Sequence, residues 1–477
     1  MSIVEYPDRI SQIFSNKTIL ITGATSFLGK VLLEKILRSC PSVHKIYILL
    51  NDPNSTFKNL TNDPLFRQQE FQIFDKIVPI LADISLPELD LSPNHREICE
   101  NVEIIFHCAG IDSDFKYTIL TNVRGTKLML ELAKKCQKLK IFTFISTAFC
   151  QLDEEILYEK VYQRRENPQK IIKICEILDD DMIELIKHKI SGNFPNFYTF
   201  SKALSENLIA DEINNIPVVI FRPSVVVPIL REPLPGYSDI NNPVGLLISV
   251  GKPLIRSFYC KNNAYLDCIP ADIIANTLMF SVFDFITNNG QRRVYNAVSS
   301  NQHKIPFKQV VEIVQNLIET NLVWWYLGGS LITHSKIKHY VYVVLFQLLP
   351  AFIIDAILIL FRQKPILVPI QKKVLQGYQL CEFYVNKTWN FDNSNTLKAT
   401  ENLNPKEREI YKMEVSISDN SKDYFTSCIH FARLYLLKET DEQMMAKKIM
   451  KIMWCLDQLV KIVFITLVFH YMCNLLF

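Results

Sequence analysis

The chain has 477 residues, with 52 Lys+Arg against 49 Asp+Glu, and 49% of it is hydrophobic, enough for one large core or several smaller ones. A formal net charge of +3 removes the electrostatic case for a nucleic-acid partner, and 11% aromatic with 21% charged residues excludes disorder as the main theme. The twelve cysteines contain no CxxC pair and the nine histidines no HxH or HExxH group, so no metal site is expected.

The N-terminus, MSIVEYPDRI, lacks the basic and then apolar run of a secretory signal, which points to a reducing, cytosol-facing compartment. From Lys17 to about Ser300, short β-rich runs alternate with amphipathic stretches. They are Thr18–Ile21, Lys45–Leu50, Ile77–Leu81, Val102–His107, Ile141–Ser146 and Val218–Phe221. The alternation predicts an α/β fold with a doubly wound parallel sheet.

Lys17–Leu33 reads KTILITGATSFLGKVLL, a β-run, a turn bracketed by Gly23 and Gly29, and an apolar-periodic helix. Gly23 permits the tight strand-to-helix turn and Gly29 the close packing of helix on sheet, so that exposed N–H groups and the helix dipole meet a pyrophosphate. Ser26 stands at the middle position of the usual three-glycine pattern, where its small side chain lies on the approach of phosphate. The second run ends about 20 residues beyond Gly29, where an acid marks NAD and a basic residue the 2′-phosphate of NADP. The tip here is Asn51-Asp52. Asp52 suits a ribose, which keeps NADH open, and Lys58 is the nearest downstream cation.

Ser146 and Thr147 end the fifth run. Cys150 just beyond them is read as a plain buried thiol, not a nucleophile. The insertion Gln151–Pro195 carries helical spacing over Lys170–Ile190, with Asp179–Asp181 in its middle as a solvated helix edge. Tyr198 precedes Lys202 by four residues in YTFSK, which puts phenol and ammonium on one helical face. The ammonium lowers the phenol pKa, and the phenol then gives a proton to the oxygen of a carbonyl receiving hydride. Thr147, or else Ser146, hydrogen-bonds that oxygen. With the glycine turn, the pattern resembles the short-chain dehydrogenase/reductase arrangement.

Tyr340–Phe361 is a run of 22 residues whose only formal charge is Asp355. Pro350 and Asp355 favour a broken, interfacial helical pair or a buried core element over a straight span. Ile462–Phe477 has 16 residues without a formal charge, and Leu459–Phe477 adds only Lys461. At about 1.5 Å per residue this reaches about 24 to 28 Å against a hydrocarbon core of about 30 Å. It reads as a tail anchor or as a docked C-terminal helix. Lys447, Lys448, Lys451 and Lys461 before or within it keep the body on the cytosolic side.

Along nearly its whole length the chain resembles the eukaryotic, insect-type fatty acyl-CoA reductases. The similar stretches are TGATSFLGKVLLEKILRS (Thr22–Ser39), NDPLF (Asn62–Phe66), KIVPILADIS (Lys76–Ser85), IFHCAGIDSDF (Ile105–Phe115) and TNVRGTKLMLELA (Thr121–Ala133). FISTAF (Phe144–Phe149), NFYTFSKALSE (Asn196–Glu206), FRPSVVVPILREPLPGYSD (Phe221–Asp239) and IPADIIANTL (Ile269–Leu278) follow in family order. LLPAFIIDAIL (Leu348–Leu358), WNFDN (Trp389–Asn393) and RLYLLKET (Arg433–Thr440) extend the likeness into the C-terminal half.

The resemblance implies reduction of a long-chain acyl-CoA to a primary alcohol by two hydride transfers from NADPH through an enzyme-held aldehyde. It implies a Rossmann reductase domain over 15–300, a mostly helical C-terminal domain over 301–440 and a membrane tail over 459–477. Gly23, Thr25, Ser26, Phe27, Leu28 and Gly29 fall on the pyrophosphate turn, and Asp83 with Ile84 on the adenine side. Ala109 and Asn122 match positions that line the nicotinamide half or shape the catalytic helix. Tyr198 and Lys202 match the catalytic pair, Thr147 its polar partner, and Pro223–Val225 the strand end that closes on nicotinamide. Trp389 and Asp392 match a C-terminal domain of structural role.

Five positions depart from the family pattern: Ser26, Asn51 and Ala82 on the cofactor side, with Phe149 and Phe431 elsewhere. Ser26 and Asn51 favour an alternative, a catalytically weak membrane-bound relative that binds lipid or nucleotide. The expected partners are a long-chain acyl-CoA and the lipid bilayer. The expected site is a cytosol-facing membrane, the endoplasmic reticulum ahead of peroxisome or lipid droplet. A hydrophobic tunnel built by Gln151–Pro195 and the region around Leu348–Leu360 is expected to take the acyl chain.

Overall fold

The computed structural model describes residues 6–67, 71–240, 244–251, 254–262, 264–299, 306–321, 331–414 and 421–439, with scattered positions between 451 and 473. The expected tail Leu459–Phe477 lies mostly outside the described residues.

The sheet has seven parallel strands. In chain order they begin β1 (Thr18–Thr22), β2 (Lys45–Leu50), β3 (Ile77–Leu81), β4 (Ile104–His107), β5 (Ile141–Ile145) and β6 (Val218–Pro223). The seventh, Val294–Ala297, pairs with the outer side of β6. Across the sheet the order is β3-β2-β1-β4-β5-β6 and then that last strand. Every residue of β4, β5 and β6 is buried, as a sheet covered by helices on both faces requires. This is the doubly wound fold expected from the alternating runs. The chain leaves the β3 edge and re-enters beside β1 at β4, so a crevice opens at the carboxyl ends of β1 and β4, where such folds bind ligands.

The chain divides into two compact units. The first comprises Met1–Leu234, Asp267–Lys304 and Trp389–Ser416 and contains the sheet. The second comprises Pro235–Leu266, Ile305–Thr388 and Ile417–Phe477 and is mostly helical, with a parallel pairing of Leu331–Thr333 on Ser257–Tyr259.

Two stretches differ from expectation. Within the insertion there are two helices, Pro168–Ile177 and Asp180–Ser191. Asp179 separates them as an N-cap, its carboxylate accepting from the Met182 N–H at 2.9 Å. An acidic trio is stable there because it meets the positive end of the second helix. The apolar run is neither broken nor a core element: Lys336–Leu360 is helical throughout, and most of its apolar side chains are exposed. A π-helical turn over Val344–Leu348 precedes Pro350 and shifts the hydrogen-bond register where proline lacks its N–H.

Candidate active site

At the end of β1, Gly23 takes φ +68°, and a Cβ there would stand 2.7 Å from Ala109 N and 2.8 Å from Ala109 Cα. A Cβ on Gly29 would lie 2.1 Å from the Gly23 carbonyl oxygen, so helix and strand meet only because both residues lack side chains. Helix Phe27–Ser39 starts directly after this turn. Ser26 is its N-cap, its Oγ accepting from the Gly29 N–H at 3.2 Å. Thr25 and Ser26 are exposed, Leu28 is half-buried and Phe27 is buried. The departure at Ser26 therefore serves the helix end, and its hydroxyl proton remains able to donate.

At the end of β3, the Asp83 carboxylate accepts from the Ser85 N–H at 2.8 Å and the Ser85 hydroxyl at 2.6 Å, and Ile84 follows half-buried. At the end of β2, Asn51 and Asp52 are exposed. Asp52 caps helix Pro53–Thr61, and hydrogen bonds from the Ser55 hydroxyl and amide hold its carboxyl below the usual range. Lys58 is exposed on that helix, while Lys30 pairs with Asp63 at 2.8 Å.

Tyr198 and Lys202 lie on helix Phe197–Glu212, whose cap Asn196 accepts from the Thr199 N–H at 2.8 Å. Lys202 is buried, and its ammonium donates to the carbonyls of Ala109 at 3.1 Å and Ile145 at 2.8 Å. It stands 5.6 Å from the centre of the Tyr198 ring. Burial pushes the Lys202 pKa down to about 8. Ala109 joins the two halves of the site: its backbone packs on Gly23 and its carbonyl receives Lys202. The Ala109 N–H donates to Thr22 Oγ1 at 3.2 Å, which also bonds His107 Nδ1 at 2.7 Å. Burial pushes His107 down to about 3, so this ring is a neutral strut.

Asn122 sits in a π-helical turn, Ile119–Arg124. Its amide donates to the Ile111 carbonyl and to Ser201 Oγ, both at 2.8 Å, and its Oδ1 accepts from the Ile111 N–H at 2.9 Å. It therefore ties the loop after β4 to the Tyr198 helix. Gly110 in that loop carried no expectation: a Cβ there would lie 3.0 Å from Lys202 Nζ and 3.1 Å from Tyr198 Cε2. Its only sequence signal is its position just after a buried strand.

At the end of β5 the two candidate hydroxyls separate. Ser146 donates to Glu206 Oε1 at 2.5 Å, whereas Thr147 Oγ1 accepts from the Phe149 N–H at 3.3 Å. Glu206 lies one turn beyond Lys202 and is paired with Arg222 of β6 at 2.7 Å, with neither side chain exposed. Arg222 also donates to the carbonyls of Tyr158 and Lys160 at 3.2 and 3.1 Å. The pair was not anticipated, although an arginine within the apolar run VVIFRP was a signal. Burial raises the Cys150 pKa, as expected for an inert thiol.

The Pro223 carbonyl accepts from the Ala148 N–H at 2.9 Å, and the Val225 N–H donates to the Asp267 carbonyl at 3.1 Å. Between them the buried Ser224 hydroxyl has no partner among the described residues. Phe149 packs edge-on against Trp389, ring centres 4.9 Å apart. No group of three or more His, Cys, Asp or Glu side chains suited to a metal occurs among the described residues.

Two family models described as male sterility protein match the chain, an NAD-binding one over residues 21–278 and a second over 346–439. A mouse protein named fatty acyl-CoA reductase 2 is 32% identical over 447 residues, covering 90% of this chain and 86% of its own. A Drosophila melanogaster protein named fatty acyl-CoA reductase wat is 29% identical over 457 residues, covering 92% and 88%. Among solved structures, the terminal reductase domain of the myxalamid pathway matches with a TM-score of 0.61 at 18% identity, over 87% of this chain and 91% of that one. A reductase domain of a Mycobacterium tuberculosis non-ribosomal peptide synthetase matches with a TM-score of 0.56 at 17% identity, over 90% and 96%. Both structures share the fold.

Proposed function

The chain belongs to the fatty acyl-CoA reductase family, and on that premise we propose that it reduces long-chain fatty acyl-CoA to a primary alcohol in two steps, with NADPH as reductant. It is an NAD(P)H-dependent oxidoreductase. A reduced nicotinamide, when bound at this turn, would supply hydride to the acyl carbon. The glycine turn fits a dinucleotide: Gly23 and Gly29 leave no room for side chains, and a helix begins at the strand end with its dipole toward the phosphates. The buried Ser224 hydroxyl, without a partner among the described residues, offers a carboxamide a hydrogen bond.

In the first step the thioester oxygen gains negative charge, and Thr147 and the Tyr198 phenol hydrogen-bond it. Collapse breaks the carbon–sulfur bond, and the electron pair leaves on the CoA thiolate. In the second step a second reduced nicotinamide would supply another hydride to the same carbon, and Tyr198 gives its proton to the aldehyde oxygen as the alcohol forms. The Lys202 ammonium favours the phenolate left behind. With the Cys150 thiol buried and its pKa raised, no covalent acyl-enzyme is required.

The observation that carries this reading is Ala109, whose backbone touches the glycine turn on one side and whose carbonyl binds Lys202 on the other. The domain division over 15–300 and 301–440, attachment by the tail 459–477 and residence on the cytosolic face of the endoplasmic reticulum belong to the same proposal. Membranes carrying the protein, given a long-chain acyl-CoA with NADPH and then NADH, should yield alcohol faster with NADPH. No alcohol with either cofactor would favour a lipid- or nucleotide-binding relative. Tyr198→Phe should abolish alcohol formation with an unchanged circular dichroism spectrum, and retained turnover would remove this phenol from the mechanism.

A further inference from the structure

We propose that the helical hairpin formed by Lys336–Leu360 and Leu367–Asn386 in the second unit lies in the plane of an anionic lipid surface without crossing it. It holds the protein on the membrane independently of the tail.

Polarity in the first helix is inverted relative to a helix that faces water. One narrow stripe with a spacing of four is buried: His339, Val343, Gln347, Ala351 and Asp355. Three of these five are polar, and their partners lie within the same unit. His339 Nδ1 bonds Ser257 Oγ at 3.0 Å. The Gln347 amide donates to Gln371 Oε1 at 2.8 Å. The Asp355 carboxylate accepts the N–H groups of Ile366, Leu367 and Val368 at 3.0, 2.9 and 2.8 Å, capping the second helix. The apolar side chains face outward instead, among them Phe352 at 56%, Leu360 at 80% and Phe361 at 72% exposure. An apolar surface this continuous is matched by lipid and not by water.

Charge selects the orientation. Residues 336–386 carry six Lys and Arg against two acids, one of them the buried Asp355. Lys336 and Lys338 stand at the start of the first helix, and Arg362 and Lys364 in the exposed turn after it. A crossing helix would draw its locked partner, with the exposed Lys372 and Lys373, into hydrocarbon, where each charge is costly. In the plane, all six cations reach anionic headgroups while the outward apolar face enters the acyl boundary.

The test uses the full chain in sealed vesicles with its cytosolic face outward, with the five cysteines that are not buried, Cys108, Cys268, Cys381, Cys455 and Cys473, changed to Ser and one reactive cysteine added by Lys338→Cys, Gln363→Cys or Ile357→Cys. A membrane-impermeant maleimide should label positions 338 and 363 from outside, with position 357 protected until detergent is added. Labelling of only one of 338 and 363 means a crossing helix, and immediate labelling at 357 means a water-facing surface; either overturns the proposal. Protection at 357 that persists in detergent and falls with protein dilution would assign the face to a second copy and overturn it as well.

Discussion

Glu206→Gln keeps the shape of the side chain and removes one charge from the Arg222 pair. In the native protein Glu206 Oε1 accepts from Ser146 Oγ, Arg222 Nε and Cys150 Sγ, and Oε2 from Arg222 Nη2 and Gln151 Nε2. Burial alone pushes the Glu206 carboxyl up, but the Arg222 charge and these hydrogen bonds outweigh it and hold the carboxyl below its usual range. Every partner is a donor, so an amide NH₂ in either orientation faces at least two donors. The guanidinium is meanwhile left in the interior without its counter-charge. Breaking one side of such a pair costs about 3–5 kcal/mol. The urea midpoint of the first unit should fall accordingly, and amide exchange at residues 146–151 should rise. The paired change Glu206→Leu with Arg222→Met should be less destabilising than Arg222→Met alone. It recovers only part of the loss, because the Tyr158 and Lys160 carbonyls lose their donor at about 1–3 kcal/mol each. A cost below about 1 kcal/mol for Glu206→Gln would refute the view that this pair organises the strand ends.

In the proposed mechanism the Lys202 ammonium is the form that aids Tyr198, and with its pKa pushed down to about 8 it is charged below that pH and neutral above it. Turnover in the reducing direction should therefore fall as pH rises through about 8, and Lys202→Arg should move that limb upward. An unmoved limb assigns the titration to another group. Gly110→Ala sets a methyl 3.0 Å from Lys202 Nζ; a shift of a few tenths of an ångström in the pair should lower kcat by roughly tenfold with KM little changed. Unchanged kcat would mean that the pair relaxes freely. Asp355→Ala removes the acceptor of three backbone N–H groups, and hydrogen exchange should accelerate at Ile366, Leu367 and Val368 before the rest of that helix. Uniform acceleration would mean that the cap supports the whole hairpin and not one helix end.

The first six strands were readable because strands under helices read as short, mostly apolar runs, even the half-buried edge strand β3, and their observed bounds differ by at most two residues from the runs. Val294–Ala297 was not: VYNA includes a buried Asn296 whose amide donates to the carbonyls of Leu157 and Asp392, partners no local pattern announces. The Tyr198–Lys202 spacing could be read because a helix repeats. Gly110 could not, since the space it leaves is needed by residues far along the chain. The exposed side of Lys336–Leu360 was hidden for a related reason. Composition marks a helix as apolar, but only the partners of Gln347 and Asp355 show which stripe faces protein.

Ser146 and Thr147 show most plainly where spacing stops and packing decides. Consecutive side chains leaving a strand point to opposite sides, so only one of the two hydroxyls can face the substrate, and residue type favours neither. Glu206 takes Ser146 into the buried network. Thr147 Oγ1 instead receives the Phe149 N–H, so in the proposed reaction its own proton is the one it gives. Phe149 in turn rests on Trp389 and Phe391. The stretch Trp389–Asn393, expected only to hold a C-terminal domain together, thus braces the loop that carries Thr147. Cutting back Trp389 should disturb turnover through Thr147 even though the indole lies behind the loop and not against the reacting carbon.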